Sequence, residues 1–250
     1  MHYLIKDTEF TEILKFLSQV KGIHKNDTGR LRKFLEGVCF VLRSGCQWRL
    51  LPFYYGSWRA IHKRFKQWES RGVWEKLFEF AQKDPDMEWV AIDSTIVRAH
   101  ACAAGYGRNS QPQEALGRSS GGFSTKIHAL ADALGNPLKF LLTAGQRHDI
   151  TQAHALSECI DNTIVIADTA YDVDAFREYL NTKKCTSEIP SRANRKHPRP
   201  LDEHIYGERH VIECFFGKVK HFRRVFSRFD KSAVSYLSFL YFAGVLIWLR

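Results

Sequence analysis

The sequence lacks several short motifs that identify common kinds of enzyme. It has no His-Glu-x2-His pair and no Gly-x4-Gly-Lys phosphate loop, which excludes one kind of zinc hydrolase and the P-loop nucleotide hydrolases. Gly105-Tyr106-Gly107 is not followed by a third glycine, so it is not a dinucleotide-binding fingerprint. His148-Asp149 could serve acid-base chemistry, but it is more typical of a turn that caps a helix. The sequence therefore contains little that indicates any of these common kinds of site.

The cysteines and the apolar runs exclude further classes. Six cysteines include no Cys-x2-Cys pair and form no compact framework, so we expect reduced thiols in a cytoplasmic protein. The first thirty residues show no long apolar run behind a basic start, so no secretory signal is visible. Ser232 to Leu249 holds 18 residues without a charge, at the lower limit for a membrane span. Serines at 232, 235 and 238 favour a buried core helix, so no membrane partner is expected.

What the sequence does have is positive charge. Lys and Arg number 37 against 27 Asp and Glu, which gives a net charge of +10 and a pI near 9.4. Such a balance favours a polyanionic partner, and nucleic acid is a commoner one than an anionic membrane. A hydrophobic content of 44% is ample for burial. The length suggests a small module followed by a larger core domain.

The first part of the chain has helical periodicity. Apolar residues recur at helical spacing over 8–20 and 28–43, and a third helix is expected to begin after Ser57. Residues 30–83 contain twelve Lys or Arg against four Glu. This pattern is typical of a helix-turn-helix-like DNA-binding module over 1–85, but a helical bundle with a solvated basic face fits the composition equally well. The expected DNA contacts on the third helix are Arg59, Lys63 and Lys66.

After residue 85 the pattern changes to short apolar runs. Residues 89–92 and 163–167 are predicted to be buried strands that end at Asp93 and Asp168. Residues 123–133 and 138–143 are predicted to form a hairpin, and 101–122 a long loop. We therefore expect a mixed α/β domain over 86–250, with helices packed on a sheet.

A third acidic residue comes from a predicted helix over 206–220. The spacing of Tyr206, Arg209, Glu213 and Lys220 puts these side chains on one helical face. Alone, Glu213 is most simply a solvated ion-pair partner, and each aspartate a helix cap. Three converging carboxylates would instead require divalent cations, Mg²⁺ or Mn²⁺, and two such ions support an in-line phosphoryl displacement.

These motifs resemble those of a known family. The runs are Ala-Ile-Asp-Ser-Thr at 91–95, Ile-Ala-Asp-Thr-Ala-Tyr-Asp at 166–172, Trp-Arg-Leu-Leu-Pro at 48–52, Ser-Thr-Lys-Ile-His at 124–128, and Tyr-x2-Arg-x3-Glu-x6-Lys from 206 to 220. Together they resemble the DDE transposases of bacterial insertion sequences, within the insertion sequence 4 and 5 superfamily. The resemblance implies an RNase H-like fold with Asp93, Asp168 and Glu213 as the metal-binding catalytic triad. It also implies that Arg209 and Lys220 contact DNA phosphates and that Tyr206 braces a base or sugar.

The expected function is therefore DNA transposition. The enzyme would bind double-stranded DNA at the ends of its element, cleave it, and join the freed ends to target DNA, as a homodimer or a larger synaptic complex. A basic loop over 191–200 is expected to contribute further DNA contacts through Arg192, Arg195 and Lys196. Two alternatives stay open: a metal-dependent nuclease without strand transfer, and an inactive DNA-binding regulator.

Overall fold

The structure is a computed structural model that describes residues 4–23, 27–104, 114–119 and 121–250. The chain divides into two compact units. The helical unit comprises Met1–Lys83, Ala99–Tyr106 and Val219–Arg250, and the sheet unit comprises Asp84–Arg98 and Gly107–Lys218. The helical unit is thus discontinuous in sequence, because the C-terminal residues join the N-terminal ones. The two domains predicted over 1–85 and 86–250 stay a prediction.

Helices and strands are numbered in chain order. The α-helices are α1 (Asp7–Leu17), α2 (Thr28–Ser44), α3 (Trp58–Ser70), α4 (Val73–Ala81), α5 (Ala101–Ala104), α6 (Ala153–Leu156), α7 (Asp174–Thr182), α8 (Glu203–Gly207), α9 (His210–Lys220), α10 (Arg223–Phe226) and α11 (Ala233–Trp248). The strands are β1 (Trp89–Ala99), β2 (Gly117–Ser119), β3 (Gly122–Asp132), β4 (Pro137–Ala144), β5 (Ile164–Ala167), β6 (Thr186–Glu188) and β7 (Ser227–Arg228).

The helices of the N-terminal part follow their sequence signals. The side chain of Asp27 caps α2 by accepting a hydrogen bond from the Arg30 amide at 2.8 Å. Gly45 ends α2 in the left-handed conformation, with φ of 68°, which glycine adopts without a steric penalty. The apolar side of α3 is buried as expected, through Ile61, Phe65 and Trp68. The predicted all-α module before the sheet is confirmed.

The C-terminal helix α11 forms part of the core of the helical unit. Phe239 stacks on Phe65 with ring centroids 4.6 Å apart, and Phe242 lies 5.2 Å from Trp74. Burying each such ring contributes on the order of 2 kcal/mol, so residues 1–85 alone would lose several of these contacts. The expectation of a buried core helix is confirmed. Among the described residues, no helix is both long enough and apolar enough to cross a membrane.

The sheet unit is built on a mixed sheet in the order β4-β3-β1-β5-β6. The β4, β3 and β1 strands are antiparallel, and β1, β5 and β6 are parallel. α6 and α7 bury their apolar side chains against Val90, Ile92 and Val165, and Phe215 of α9 stacks on Phe140 of β4. The predicted hairpin is the β3–β4 pair. This strand order is that of the RNase H-like fold expected from the resemblance.

Two predictions about the chain after residue 85 need correction. The strand expected to end at Asp93 continues to Ala99, because β3 goes on pairing with it as far as Arg98 and Ser124. The stretch 101–122, predicted to be a loop, contains the short elements α5 and β2. The rest of that prediction, over 105–113 and at 120, lies outside the described residues.

A buried ion-pair cluster fixes the segment after β5. Asp172 accepts hydrogen bonds from Arg177 Nε at 3.0 Å, from Arg195 Nε at 2.9 Å and from the Arg192 amide at 2.9 Å. The side chain of Arg177 is 2% exposed, and it also donates to the carbonyl of Ile189 at 2.6 Å. This cluster therefore connects α7, β6 and the basic loop.

We expect Asp172→Ala to lower the free energy of unfolding by about 3 kcal/mol, because it leaves the buried guanidinium of Arg177 without its carboxylate. Urea unfolding of the full chain measures this change. Asp174→Ala is the matched control, since Asp174 pairs with Arg195 and Arg199 but its side chain is 60% exposed. Its cost should be below about 1 kcal/mol. Equal losses in both variants would contradict a special role for the buried pair.

Candidate functional site

The sheet unit brings Asp93 and Asp168 to neighbouring positions. The parallel pairing of β1 with β5 ends at Ile92 and Ala167, so the next residue on each strand is an aspartate. The Ser94 amide donates to Asp93 Oδ1 at 2.7 Å. Asp168 caps a single 3-10 turn, and its Oδ1 accepts the Ala170 amide at 2.9 Å. Backbone amides thus hold one oxygen of each carboxylate and leave other lone pairs available.

The helix predicted over 206–220 is interrupted. It forms α8 and α9 with a turn between them, in which the Arg209 amide donates to the Tyr206 carbonyl at 3.0 Å and the Ile212 amide to the Arg209 carbonyl at 3.2 Å. These are bonds over three residues, tighter than those of an α-helix. Gly207, a poor helix former, lies at the end of α8. The prediction of one continuous helix over 206–220 was therefore wrong.

Arg209 nevertheless connects three of the residues predicted for the site, Asp93, Glu213 and Tyr206. Its Nη1 donates to Asp93 Oδ2 at 3.1 Å, and its Nη2 donates to Glu213 Oε1. The guanidinium carbon lies 6.0 Å from the centre of the Tyr206 ring, at the outer limit of a cation–π contact. Glu213 is 56% exposed, whereas Asp93 is 17% exposed. The guanidinium therefore links a buried carboxylate to an accessible one.

Four of the residues predicted to contact DNA belong to the helical unit. Lys220 ends α9 and belongs to the helical unit, and burial lowers its pKa. On α3, Arg59 and Lys63 are exposed, whereas Lys66 is bonded to Glu69 and to Ser235.

The basic loop has internal contacts that the sequence did not reveal. Arg192 donates to the carbonyls of Thr169 and Ala170 at 3.4 and 3.1 Å, which are in the turn that follows Asp168. Arg195 pairs with Asp172, as described above, and with an exposed aspartate on α7. Lys196 is exposed. Two of the three loop residues predicted to bind DNA therefore also support the turn that carries Asp168.

Asp149 is a further acidic residue of the site, which the sequence favoured as part of a turn that caps a helix over a residue for acid-base chemistry. Its Oδ1 accepts hydrogen bonds from Ser94 Oγ at 2.6 Å and from Lys126 Nζ at 2.8 Å. His128 Nδ1 lies 3.9 Å from the same oxygen. Since Ser94 also binds Asp93 through its amide, the three side chains on β1, β3 and the segment after β4 form one connected network. The Ser-Thr-Lys-Ile-His run was the signal that could have located it.

Negative charge is incompletely compensated in this region. Burial raises the pKa of Asp93 to about 6; the negative charges of Asp168 and Asp149 add to the rise, and Arg209 opposes it. Burial also lowers the pKa of His128 to about 4, so its imidazole is neutral at pH 7 and supplies no positive charge. The fully buried hydroxyl of Tyr171 has no hydrogen-bond partner in the described part of the chain. Burial and the same three aspartates raise its pKa.

The acidic residues of this region are candidate ligands for a metal ion. Asp93 and Asp168 fit a hard divalent cation, because both supply carboxylate oxygens and the negative charge of Asp149 also acts on Asp93. Within the described residues, however, no group of three His, Cys, Asp or Glu side chains is arranged to hold a metal. The ion pair with Arg209 engages Oε1 of Glu213, which leaves its second carboxylate oxygen as a possible metal ligand.

Asp93→Asn should stabilise the metal-free protein at neutral pH. The pKa of about 6 lies above the ordinary value of 3.8, so the folded protein binds the proton more tightly than the unfolded chain does. The contribution of Asp93 to stability therefore falls as the pH rises from 3.8 to about 6. Asparagine removes a cost of about 3 kcal/mol at pH 7, and the gain should vanish below about pH 4.

Urea unfolding of metal-free protein at both pH values measures this difference. Asp161→Asn is the control, since its side chain is 70% exposed and pairs with Lys183. Its pH dependence should match that of the parent. A loss of stability in Asp93→Asn that is equal at both pH values would mean that the carboxylate is needed for folding instead.

Known protein families match both parts of the chain. The model "Putative transposase of IS4/5 family" matches residues 5–78, and the model "Transposase DDE domain" matches residues 84–243. A Brucella ovis protein, "Putative transposase for insertion sequence element IS6501", is 39% identical over 129 residues, which are 51% of this chain and 99% of that protein. The Burkholderia cepacia "Putative transposase for insertion sequence element IS402" is 29% identical over 135 residues, 49% of this chain and 62% of that one.

The structural comparison found a piggyBac transposase synaptic complex with hairpin DNA, at 13% identity and a TM-score of 0.42. That match covers 77% of this chain and 50% of the piggyBac chain. The DDE domain model spans well over half of this sequence. This chain therefore belongs to the DDE transposase family of insertion sequences.

Proposed function

We propose that this protein binds the ends of an insertion sequence, cleaves DNA there, and joins the freed ends to target DNA. The observation that carries the proposal is the arrangement in the sheet unit, where register sets Asp93 beside Asp168 and Arg209 connects Asp93 to Glu213. The family membership supports the same reaction class. Asp93, Asp168 and Glu213 are the catalytic carboxylates in this proposal.

The three carboxylates would hold Mg²⁺ or Mn²⁺, with two ions in the active complex. Bound there, the cations would supply Lewis-acid activation of the attacking hydroxyl and neutralise charge on the scissile phosphate. The protein's own part is to fix Asp93 and Asp168 through the Ser94 and Ala170 amides. The Asp149 and Lys126 pair in turn holds the Ser94 hydroxyl, which keeps the first carboxylate oriented.

Arg209 couples DNA binding to the carboxylates. A guanidinium has no lone pair for a metal, and it binds phosphate in the same two-pronged geometry with which it binds carboxylates. Without DNA it neutralises Asp93 and Glu213. A DNA phosphate that captures Arg209 frees Glu213 and restores negative charge to the site. Substrate therefore prepares the carboxylates for the cations.

Double-stranded DNA is the partner in this proposal, bound by a homodimer or a larger synaptic complex. The helical unit contacts the element's ends through the exposed residues Arg59 and Lys63 of α3. Further contacts come from Lys66, Tyr206 and Lys220, and from the loop residues Arg192, Arg195 and Lys196. Phosphate contacts of this kind make binding strongly dependent on salt.

Glu213→Gln tests the triad, together with Asp93→Asn and Asp168→Asn. Each substitution keeps the shape and removes a charge that a divalent cation needs, so cleavage and joining should both fall by at least about 100-fold. The measurement is Mg²⁺-dependent nicking and joining of a duplex that carries the DNA flanking the gene. Glu208→Gln is the matched control, since Glu208 is an exposed glutamate in the turn between α8 and α9.

DNA binding by Glu213→Gln should be retained, because a negative charge near phosphates has been removed. If folded Glu213→Gln cleaves within a few-fold of the parent, the acidic trio is not the active site. If the parent nicks but never joins, the protein is a nuclease. If neither product forms with any divalent cation, the regulator becomes the better interpretation.

Arg209→Ala should separate DNA engagement from cation binding. The variant loses a phosphate contact, so binding of the cleaved end weakens by about tenfold, in line with a charge-assisted hydrogen bond. Mn²⁺ affinity without DNA should stay the same or rise, since the positive charge beside Asp93 is gone. Calorimetric titration with Mn²⁺ measures it. A loss of Mn²⁺ binding in the folded variant would contradict this role.

A further inference from the structure

An aromatic tip, formed by Phe53 and Tyr54, projects from the helical unit. Phe53 is 90% exposed and Tyr54 is 43% exposed, and the nearby Leu50 is 67% exposed. Three large apolar side chains within five residues are thus left in water. Single exposed apolar residues are ordinary, but a contiguous group of them marks a contact surface.

The aromatic tip stands on a rigid support. Leu51 is buried, Pro52 restricts the backbone, and Phe53–Tyr55 form a single 3-10 turn. The Tyr54 ring lies 4.3 Å from that of Tyr55, which in turn lies 5.7 Å from Phe40 on α2. Because its base is packed, the tip loses little conformational entropy when it binds a partner.

A basic groove adjoins the tip. Tyr55, Gly56 and Ser57 line an open groove of about 320 Å³ together with Arg30, Lys33 and Arg64. Among the residues that the structure describes, no acidic side chain lines this groove. Arg30 pairs with Asp27 at 3.0 Å, and the Arg64 guanidinium lies over the Phe34 ring at 5.3 Å. The groove therefore offers cations to an anionic group beside exposed rings.

We propose that the aromatic tip packs against DNA bases while the groove holds the adjacent phosphates. This inference rests on the proposed function and adds a base-contacting element to it. Aromatic side chains stack on or wedge between bases, and cations beside them bind the backbone, so the two features suit one ligand. A second copy of this chain is a poorer occupant, because its net charge of +10 repels a surface lined by three cations.

The test compares full-length Phe53→Ala with Phe226→Ala. Phe226 is 62% exposed in the same unit and lies outside the tip, so it controls for loss of an exposed ring. The probe is a short duplex copied from the DNA that flanks the gene, with 2-aminopurine at successive positions. Phe53→Ala should weaken binding about tenfold and abolish the fluorescence rise that reports an unstacked base. Phe226→Ala should resemble the parent.

Salt dependence separates the tip from the groove. Phe53→Ala should leave the slope of log affinity against log salt unchanged, whereas Lys33→Gln should reduce that slope by about one. Phe53→Trp, unlike Phe53→Ala, should bind the duplex as the parent does, because a larger ring can stack in the same place. These results together would support a base contact next to a phosphate contact.

Other outcomes overturn the inference. If Phe53→Ala and Phe226→Ala bind like the parent, the tip does not touch DNA, although the proposed function stands. If light scattering shows that Phe53→Ala changes the molecular mass without DNA, the tip is an interface between copies. If the parent itself does not bind the duplex at low salt, the proposed function fails, and this inference fails with it.

Discussion

The end of the parallel pairing between β1 and β5 sets the geometry of the acidic site. The pairing stops at Ile92 and Ala167, because β5 gives way to the turn that Asp168 caps while β1 continues against β3. Two carboxylates thus come next to one another at the middle of a sheet, where one of them is largely buried. Register in a sheet with buried faces is strongly specified, since a slip of one residue reverses the faces. The position of the pair is therefore a property of the fold and not of a flexible loop.

Such a pair is costly, and the surrounding residues offset the cost. Like charges at neighbouring positions of a sheet repel one another, and the charge of Asp168 acts on Asp93. Arg209 and Lys126 supply the nearby positive charges, and both do so through directed hydrogen bonds. Burial is the main reason that the pKa of Asp93 rises to about 6, and the negative charges of Asp168 and Asp149 add to the rise. A site left short of positive charge is suited to a cation, and this links the fold to the proposed chemistry.

Elements set by local signals could be predicted from the sequence, and those set by distant partners could not. The helix α2 and the β3–β4 hairpin depend on neighbouring residues, and both were predicted. The continuation of β1 beyond Asp93 depends on β3, which is distant in sequence. The break between α8 and α9 depends on a choice between two hydrogen-bond patterns that differ by about 1 kcal/mol or less per residue, which helical spacing cannot decide. The packing of α11 with α3 and α4 joins opposite ends of the chain.

The number of basic residues in a segment does not say how many of them are available to an anion, for a physical reason. A guanidinium that is already held by carboxylates or carbonyls must give up those bonds before it can bind phosphate, which offsets part of the free energy of the new contact. Arg177 and Arg195 are held in this way by Asp172, and Arg192 by two backbone carbonyls. The basic loop thus serves first to order the turn behind Asp168. The basic side chains that are available to an anion are the exposed ones, and exposure follows from the packing of each unit.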